Sequence, residues 1–525
     1  MNAPWCSPAA RSWALNRNKF YATCAIDYVN AQPHLGHALE KVGADALVRY
    51  HRMLGKRVWL VLGSDEHSQS VEHAARDQGL TPQAFTDRMA EVFTTTWDRF
   101  QVTCSSYVRT NSRENQMATE EFLKRLSAGG HIYKGTYSGW YCGSCEQFYP
   151  EAELLEGNCP EHRSPVQWVD EENYFFRLSS FRAALTELLA VPGFLQPESR
   201  RHEMVNALSE GLPDVSISRA STTWGFPLVF DPTQVVYVWF DALLSYVSGA
   251  GFPHHMELFD ELWPCDVHVI GKGITRFHSL MWPAMLMAAK LPLPARVFAH
   301  GYVNIGGEKM SKSRGLWFDP VRLVDIFGSD GARYLILREF AFDRDSDFSL
   351  EALIDRFNAD LANNFGNLVS RCLRMLRLYR PQGVPARSDW GDLGAAVSAT
   401  LNAFPTHMEE LDFSAALADV WHLVDQANRH IDRIQPWALA KDEHQAGELD
   451  AVLYRLIEVC RLLAVLVAPA MPAISARLLQ ALASSPDGSW EEQVRWGGVA
   501  PGLMVEEIGA LFPRLEKDKI LGEVG

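Results

Sequence analysis

The chain has 525 residues, of which 47% are hydrophobic and 22% charged, a composition that excludes a disordered protein and predicts two to four folded domains. Its formal net charge of −15 argues against non-specific nucleic-acid binding, which depends on summed lysine and arginine contacts to phosphate, and leaves room only for a local basic surface. The longest apolar stretch, 462–474, is too short to span a bilayer and is interrupted by Pro469 and Pro472.

Residues 1–18 lack the apolar block of a secretory signal, and we expect a flexible leader there. Their arginines and serines, with no acidic residue before Asp27, keep an organellar transit peptide as the alternative. Nine cysteines, most of them single in apolar context, fit a reducing compartment. We therefore expect a cytoplasmic protein, with organellar import as the second interpretation.

The first half of the chain alternates strand and helix patterns. Residues 20–29 have the pattern of a strand entering a loop, 35–46 have helical spacing, and 57–63 form a second buried strand followed by another helix. A buried strand, a helix and a buried strand are typical of a parallel α/β sheet. Strand–helix alternation returns at 235–240 (VVYVWF) and 266–270 (DVHVI), where we expect the sheet to resume.

Two regions depart from this alternation. Residues 135–174 contain three cysteines and many aromatic residues without helical spacing, which predicts an inserted, loop-rich subdomain. After residue 350, apolar residues recur every three or four positions in 353–378, 415–434 and 449–482, which predicts a helical domain. Prolines at 405, 436, 469 and 472 are expected to break or kink its helices.

Two short segments carry candidate chemistry. His34-Leu35-Gly36-His37 lies where the first strand turns into its helix, and a helix N-terminus binds phosphate through unpaired N–H groups and a partial positive charge. Gly306–Ser313 (GGEKMSKS) has two glycines for a mobile loop and two lysines, Lys309 and Lys312, that can clamp an anion. Taken singly, a capped turn and a solvated basic loop explain these segments equally well.

Together, and in this order, the two segments resemble the HIGH and KMSKS signatures of the class I aminoacyl-tRNA synthetases. Among these, the chain is most similar to the methionyl-tRNA synthetases, through AIDYVNAQPHLGHALE, GSDEH, YVWFDALLSYV, VIGKGITRFHSLMWPAML, FNADLANNFGNLVSR and IQPWALAK. The resemblance extends from about residue 19 to 482. It implies a Rossmann-like parallel-sheet catalytic domain with an inserted zinc-knuckle subdomain, followed by an α-helical bundle that binds the anticodon.

The resemblance divides the chain into seven segments. We expect a leader at 1–18, a catalytic domain at 19–134 and 175–315, a zinc knuckle at 135–174, a connecting segment at 316–350, an anticodon-binding domain at 351–485 and a C-terminal segment at 486–525. Because no strand-rich module follows residue 482, we expect a monomer, unlike relatives that dimerise through an appended β-barrel. Those expectations rest on the family, not on composition.

The spacing Cys142-x2-Cys145 and Cys159-x2-His162 can close a tetrahedral site, and thiolates with an imidazole favour zinc. Four protein ligands leave no open position, so we expect Zn2+ to be structural. Three unrelated cysteines are the alternative explanation of this pattern.

The resemblance also implies an amino-acid pocket and an RNA surface. A thioether needs apolar and aromatic walls, and the substrate ammonium needs a carboxylate. Methionine is expected to contact Ile26, Tyr28, Asp65, Trp239, Ala242, Tyr246, Ile274 and His278. ATP, as its Mg2+ complex, is expected at Gly36, Gly271, Lys309 and Lys312, with His34, His37, Lys309 and Lys312 as catalytic residues. Anticodon readers map onto Asn367, Arg371 and Trp437, beside arginines that recur at 371, 374, 377 and 380.

One departure from the family pattern concerns ATP. Where the family commonly has an aspartate that binds the ribose, this chain has Gly273, in the sequence Gly271-Lys272-Gly273. Two alternatives to a methionine–tRNA ligase follow: a sister enzyme for leucine or valine, for whose editing domain there is no room before residue 235, and a catalytically weakened paralogue that binds tRNA as a regulator. Gly273 is the only support for the second. The expected partners are tRNA(Met), L-methionine and ATP, without a membrane.

Overall fold

The computed structural model describes residues 18–143, 147–149, 151–160, 163–220, 222–310, 317–485 and 488–524. The predicted leader, Cys145, His162 and Lys312 therefore lie outside the described residues, apart from Asn18 at the end of the leader. No helix in the described part is long and apolar enough to cross a membrane. The chain divides into two compact units.

The strands, in chain order, are β1 Lys19–Cys24, β2 Asp27–Tyr28, β3 Arg57–Asp65, β4 Ser106–Arg109, β5 Ile132–Cys142, β6 Gln147–Tyr149, β7 Gln167–Phe176, β8 Leu195–Gln196, β9 Val215–Ser216, β10 Ser218–Arg219, β11 Pro227–Leu228, β12 Asp231–Val236, β13 Val267–Gly271, β14 Val297–His300, β15 Val303–Ile305, β16 Glu308–Lys309 and β17 Ser346–Asp347.

The α-helices are α1 Leu35–Met53, α2 Gln69–Asp77, α3 Pro82–Arg99, α4 Arg113–Ala128, α5 Arg182–Leu189, α6 Glu198–Glu210, α7 Val238–Ser248, α8 Met256–Leu262, α9 Trp282–Ala288, α10 Pro320–Glu339, α11 Leu350–Arg356, α12 Asn367–Tyr379, α13 Gly394–Glu409, α14 Phe413–Ile434, α15 Pro436–Leu439, α16 Ala446–Val467, α17 Pro472–Ala481, α18 Trp490–Gln493 and α19 Lys517–Val524. Two π-helical turns, Phe277–Met281 and Phe357–Gly366, precede α9 and α12.

The first unit, which holds Val58–Trp97 and Thr103–His300 together with β1 and β2, is built on a seven-stranded sheet. Its order is β2-β3-β1-β13-β14-β8, with β4 on β3, and the pairs of known register are parallel. The core contains Tyr21, Phe122 and Trp282, all fully buried. The prediction of a parallel α/β sheet is confirmed.

Two details of this unit differ from the sequence predictions. Residues 135–174 are not loop-rich, because β5 pairs with β7 along ten positions in an antiparallel sheet of order β6-β5-β7-β9. The run VVYVWF is not one strand of the main sheet: β12 ends at Val236 in a separate antiparallel sheet, and α7 begins at Val238. Every residue of α7 is buried, and a fully buried helix has the same continuous apolar pattern as a buried strand.

The second unit contains His34–Arg57, Asp98–Val102 and the chain from Gly301 onward. It is helical after residue 347, and no strand follows β17 in the described part. Within it, α12 packs against α16, and α13 packs against α14. Pro436 begins α15 and Pro472 begins α17, whereas Pro405 lies inside α13. The predicted helical domain is confirmed, with its breaks at the prolines of 436 and 472.

Candidate active site

The predicted amino-acid pocket lies at the carboxyl edge of the parallel sheet in the first unit. Asp65 ends β3 and is 2% exposed, and its register partner on β2 is Tyr28. Gly271 and His300 end β13 and β14 at the same edge, opposite each other. Ligands of open parallel sheets bind beyond the carboxyl ends of the strands, so the fold places these residues where a substrate is expected.

An aromatic wall begins at Tyr28. Its ring makes a T-shaped contact with Trp239 at 5.8 Å between centroids, and Phe277 stacks on Trp239 at 3.9 Å with an interplanar angle of 7°. Ile274 packs against the same cluster. The Trp239 indole N–H is buried and has no hydrogen-bond partner among the described residues. This surface suits a flexible, polarisable apolar group such as a thioether.

Tyr246 and His278, expected at the back of the predicted pocket, form a hydrogen-bonded pair. On α7, Trp239, Ala242 and Tyr246 are spaced three and four residues apart and share one face. The His278 Nδ1–H donates to the Ile274 carbonyl at 3.0 Å, so Nε2 is an acceptor, and the Tyr246 hydroxyl donates to it at 2.6 Å. Tyr246 and His278 are almost fully buried. Burial and these hydrogen bonds therefore hold the two rings in place.

The carboxylates near β3 have different partners. Glu66 accepts two hydrogen bonds from Arg109, at 2.6 and 2.9 Å. Asp241 accepts one from His67 Nδ1 at 2.6 Å, and burial raises the pKa of Asp241. Because Glu66 and Asp241 are held by a cation and an imidazole, neither is a candidate for binding a substrate ammonium. The assignment of that role to Asp65 stays a prediction.

The predicted phosphate site lies in the second unit, at the start of α1. His34 Nδ1 accepts hydrogen bonds from the backbone N–H of Gly36 and His37, at 3.1 and 3.3 Å. His37 Nδ1 in turn accepts one from the backbone N–H of His34, at 3.2 Å. The two rings stack with centroids 3.7 Å apart. Both imidazoles thus use Nδ1 to cap the helix and carry their proton on Nε2, where it can be donated to a phosphate oxygen.

His34 is held neutral by its surroundings. Desolvation, followed by the charges of Lys41 and Lys309, lowers the pKa of His34 to about 4. A neutral imidazole with an Nε2–H is a donor that needs no proton uptake at physiological pH. The two interpretations that the sequence left open, a capped turn and a phosphate site, are therefore compatible, because different ring nitrogens serve each role.

The lysine-bearing loop is a hairpin in the same unit. β15 pairs with β16 so that Asn304 faces Lys309, and Gly306 and Gly307 form the turn with φ of 61° and 77°. Positive φ at both positions is typical of a type I′ turn and favours glycine. Lys309 is exposed, and its ammonium lies 4.6 Å from the centroid of the Tyr302 ring. Lys312 lies outside the described residues.

The thiols predicted to bind zinc are partly described. Cys142 and Cys159 are fully buried in one small cluster with Tyr149, although they are far apart in sequence. Their convergence fits a soft metal ion, since two thiolates on adjacent chain segments are half of a tetrahedral site. No three metal-binding side chains come together among the described residues, but Cys145 and His162 are outside that part of the chain.

The predicted anticodon readers lie at the surface of the helical part, where Asn367 is exposed and Arg371 is half-buried. Asn367 and Arg371 lie one turn apart on α12, and Trp437, on α15, is 40% exposed. An exposed tryptophan suits stacking on an unpaired RNA base, and an amide or a guanidinium suits contact with a base edge. The basic flank predicted at 371–380 is largely neutralised, because Arg371, Arg377 and Arg380 form ion pairs with Asp432, Glu507 and Asp450.

Sequence reasoning missed several residues of the pocket and its surroundings. Phe277 stacks on Trp239 and adjoins His278, and its position in the motif ITRFHSLMW was the available signal. The His67–Asp241 pair joins two separate motifs and had no local signal. Arg219 is buried, with its guanidinium 4.4 Å from the Phe148 ring centroid and near two tyrosine rings, so it connects the antiparallel insertion to β10.

Comparisons with known proteins show the family of the chain. The family model described as class I tRNA synthetases (M) matches residues 20–170 and 163–373, and the model of the anticodon binding domain of methionyl tRNA ligase matches 381–521. The methionine–tRNA ligase of Caldanaerobacter subterraneus subsp. tengcongensis is 40% identical over 514 residues, 97% of this chain and 81% of that protein. That of Streptomyces coelicolor is 40% identical over 95% of this chain and 97% of its own length.

The fold is also similar to that of a solved methionyl-tRNA synthetase. Mycobacterium tuberculosis methionyl-tRNA synthetase in complex with methionyl-adenylate superposes with a TM-score of 0.91 and 39% identity, over 95% of this chain and all of that one. Its apo form superposes with a TM-score of 0.84.

Proposed function

The chain belongs to the class I methionyl-tRNA synthetases and is an aminoacyl-tRNA ligase; we propose that it performs the two steps of this reaction as follows. The carboxylate of L-methionine attacks the α-phosphate of ATP, the bond to diphosphate breaks, and methionyl-adenylate forms. A ribose hydroxyl at the 3′ end of tRNA(Met) then attacks the acyl carbon, and AMP leaves. Neither step needs a nucleophile from the protein.

The observation that carries the proposal is the set of contacts at the carboxyl edge of the sheet: Asp65 in register with Tyr28, Tyr28 against Trp239, and Tyr246 bonded to His278. We propose that Asp65 binds the ammonium of methionine and that Trp239, Ile274 and Tyr246 enclose its side chain. Ile26, Ala242 and His278 complete this set. A pocket with one carboxylate, aromatic walls and a buried, hydrogen-bonded back would select an uncharged side chain.

The phosphate chemistry is assigned to residues of the second unit. We propose that His34 and His37 donate hydrogen bonds from Nε2–H to phosphate oxygens, because both Nδ1 atoms already accept hydrogen bonds that cap α1. Lys309, together with Lys312, then stabilises the charge that develops on the departing diphosphate. We propose that the nucleotide contacts the backbone at Gly36 and Gly271, where no side chain intervenes. Magnesium enters as the ATP complex, and no carboxylate of the chain is assigned to it.

A structural zinc ion is proposed in the insertion. Cys142 and Cys159, already converged and buried, would hold it with Cys145 and His162. When bound, zinc would fix the fold of this small segment, since a closed four-ligand site has no position for a substrate. We propose that the insertion spans residues 135–174 and that the anticodon-binding part spans residues 351–485.

We also propose that tRNA(Met) is recognised through Asn367, Arg371 and Trp437. A single chain supplies the residues for methionine, ATP and the anticodon, so a monomer suffices for the reaction. We propose a cytoplasmic protein, a compartment that its mostly single cysteines in apolar context fit.

The test separates binding from chemistry. Single-turnover formation of methionyl-adenylate is measured for His37→Ala and Lys309→Ala, with methionine affinity followed through tryptophan fluorescence. Both variants are expected to lose about 100- to 1,000-fold in the rate of adenylate formation, the usual cost of one preorganised charge-stabilising group, with methionine affinity retained. Lys441→Ala, which removes one exposed charge from the helical part, is the control. Rates within threefold of wild type for both variants would refute these roles.

A further inference from the structure

Helix α12 presents one row of side chains at its surface, in which Asn367, Arg374 and Leu378 are exposed and Arg371 is half-buried. Asn367, Arg371, Arg374 and Leu378 follow each other at spacings of four, three and four residues, so they lie on one face. The helix buries its other face, which contains Cys372, into the helical part of the chain. Arg374 lies about 4.5 Å further along the helix axis than Arg371, at 1.5 Å per residue.

Arg371 is held in place by its neighbours on α14. One guanidinium nitrogen donates to Asp432 Oδ1 at 2.8 Å and another to Asn428 Oδ1 at 3.5 Å. These two contacts fix the plane of the guanidinium. A fixed plane suits the reading of a base edge or stacking on a base, since both depend on orientation.

Two of the other arginines of this flank are neutralised. Arg377 pairs with Glu507 at 3.0 Å. Arg380 pairs with Asp450 and donates to the backbone carbonyls of Tyr379 and Ala446. Their charges are compensated within the protein, so they contribute little to the attraction of a polyanion.

Arg374 differs from all three. It is exposed, and it makes no hydrogen bond, ion pair or ring contact with any residue that the structure describes. In a chain of net charge −15, an uncompensated guanidinium in the same row as the anticodon readers is a local positive site. Its side chain is long and untethered, and such a side chain suits a phosphate, whose recognition needs charge and reach more than a fixed plane.

We propose that Arg374 is a further tRNA contact, which binds a phosphate of the anticodon-loop backbone next to the base contacted by Arg371. The proposal rests on the proposed recognition of tRNA(Met) by the α12 face. It assigns different tasks to two adjacent arginines: Arg371 determines which anticodon is bound, and Arg374 strengthens binding whatever the anticodon sequence.

The experiment is equilibrium binding of a labelled tRNA(Met) transcript to the full chain at 50 and 200 mM KCl, repeated with a transcript of altered anticodon. Arg374→Ala is expected to bind at least threefold more weakly at 50 mM. Loss of one phosphate contact reduces the slope of log affinity against log salt concentration by about 0.7. The difference in affinity between Arg374→Ala and wild type should therefore be about 2.6-fold smaller at 200 mM than at 50 mM. Both transcripts should lose affinity by the same factor. Arg377→Ala is the matched control and should bind within 1.5-fold of wild type, because Glu507 already compensates the charge of Arg377.

The outcomes are distinguishable. The proposal is overturned if Arg374→Ala binds tRNA as tightly as wild type at 50 mM, or if Arg377→Ala loses as much affinity as Arg374→Ala. It is also overturned if Arg374→Ala loses discrimination between the two anticodons while the salt dependence of its binding is unchanged. A wild-type chain that does not discriminate between the two transcripts refutes the underlying recognition instead. The thermal unfolding midpoint of Arg374→Ala, expected within about 1 °C of wild type because no contact is lost, shows that the variant is folded.

Discussion

Tyr246→Phe tests whether the back of the methionine pocket depends on one hydrogen bond. The substitution removes only the hydroxyl that donates to His278 Nε2 at 2.6 Å. His278 cannot compensate by changing tautomer, because its Nδ1–H is used by the Ile274 carbonyl. The variant therefore leaves a buried acceptor without a partner in a pocket whose wall is otherwise unchanged.

The magnitude follows from the cost of an unsatisfied buried acceptor, about 1–3 kcal/mol. If this cost falls on substrate binding, kcat/KM for methionine drops by about 5- to 150-fold at 1.36 kcal/mol per factor of ten. The KM for ATP should not change. Methionine-dependent exchange of labelled diphosphate into ATP measures both constants.

Tyr133→Phe is the matched control. It also removes a hydroxyl hydrogen bond, to Asp214 at 2.9 Å, but outside the pocket, and should leave both constants unaltered. A Tyr246→Phe enzyme with unchanged kcat/KM for methionine would refute the reasoning, and so would a Tyr133→Phe enzyme with the same defect.

Three further predictions concern protonation, stability and metal. Because the pKa of His34 is lowered to about 4, His34 stays neutral in the folded chain down to about pH 5. Between pH 6.5 and 4 the unfolded chain takes up a proton that the folded chain does not, so the free energy of unfolding decreases as the pH falls through this range. An NMR titration midpoint above about 6 for the His34 imidazole would contradict this. Arg333→Met removes a fully buried ion pair with Asp45 and should destabilise the fold by about 3–5 kcal/mol in urea unfolding, whereas an unchanged midpoint would argue against that contact. Cys159→Ser should reduce the zinc content measured by mass spectrometry from one per chain to well below one, and equal metal content in both proteins would rule out this ligand.

The sequence predicted the parts of the fold that depend on local periodicity. The parallel sheet and the helical domain follow from apolar spacing, and the prolines at 436 and 472 do begin helices. Residues 135–174 were misjudged because glycines interrupt the alternation of β5, so its pairing with β7 is visible only in three dimensions. The strand proposed at 235–240 failed because the helix that replaces its second half is buried on all sides.

The site shows the same limit. Motifs located His34, His37 and Asp65, but could not show that both histidines cap α1 through Nδ1. The spacing of the arginines on α12 predicted a basic flank, yet their acidic partners lie 61 to 130 residues away in sequence and left a single arginine uncompensated. Long-range pairs such as His67–Asp241 have no signature in a single sequence.

Amino-acid-dependent exchange of labelled diphosphate into ATP tests the central claim most directly. The wild-type chain is assayed with methionine, leucine, isoleucine and valine under equal conditions. Exchange with methionine alone is the predicted result, and it would also show that Gly273 is tolerated in the nucleotide site. Exchange with none of the four amino acids, from folded and zinc-loaded protein, would contradict the claim that this chain forms methionyl-adenylate.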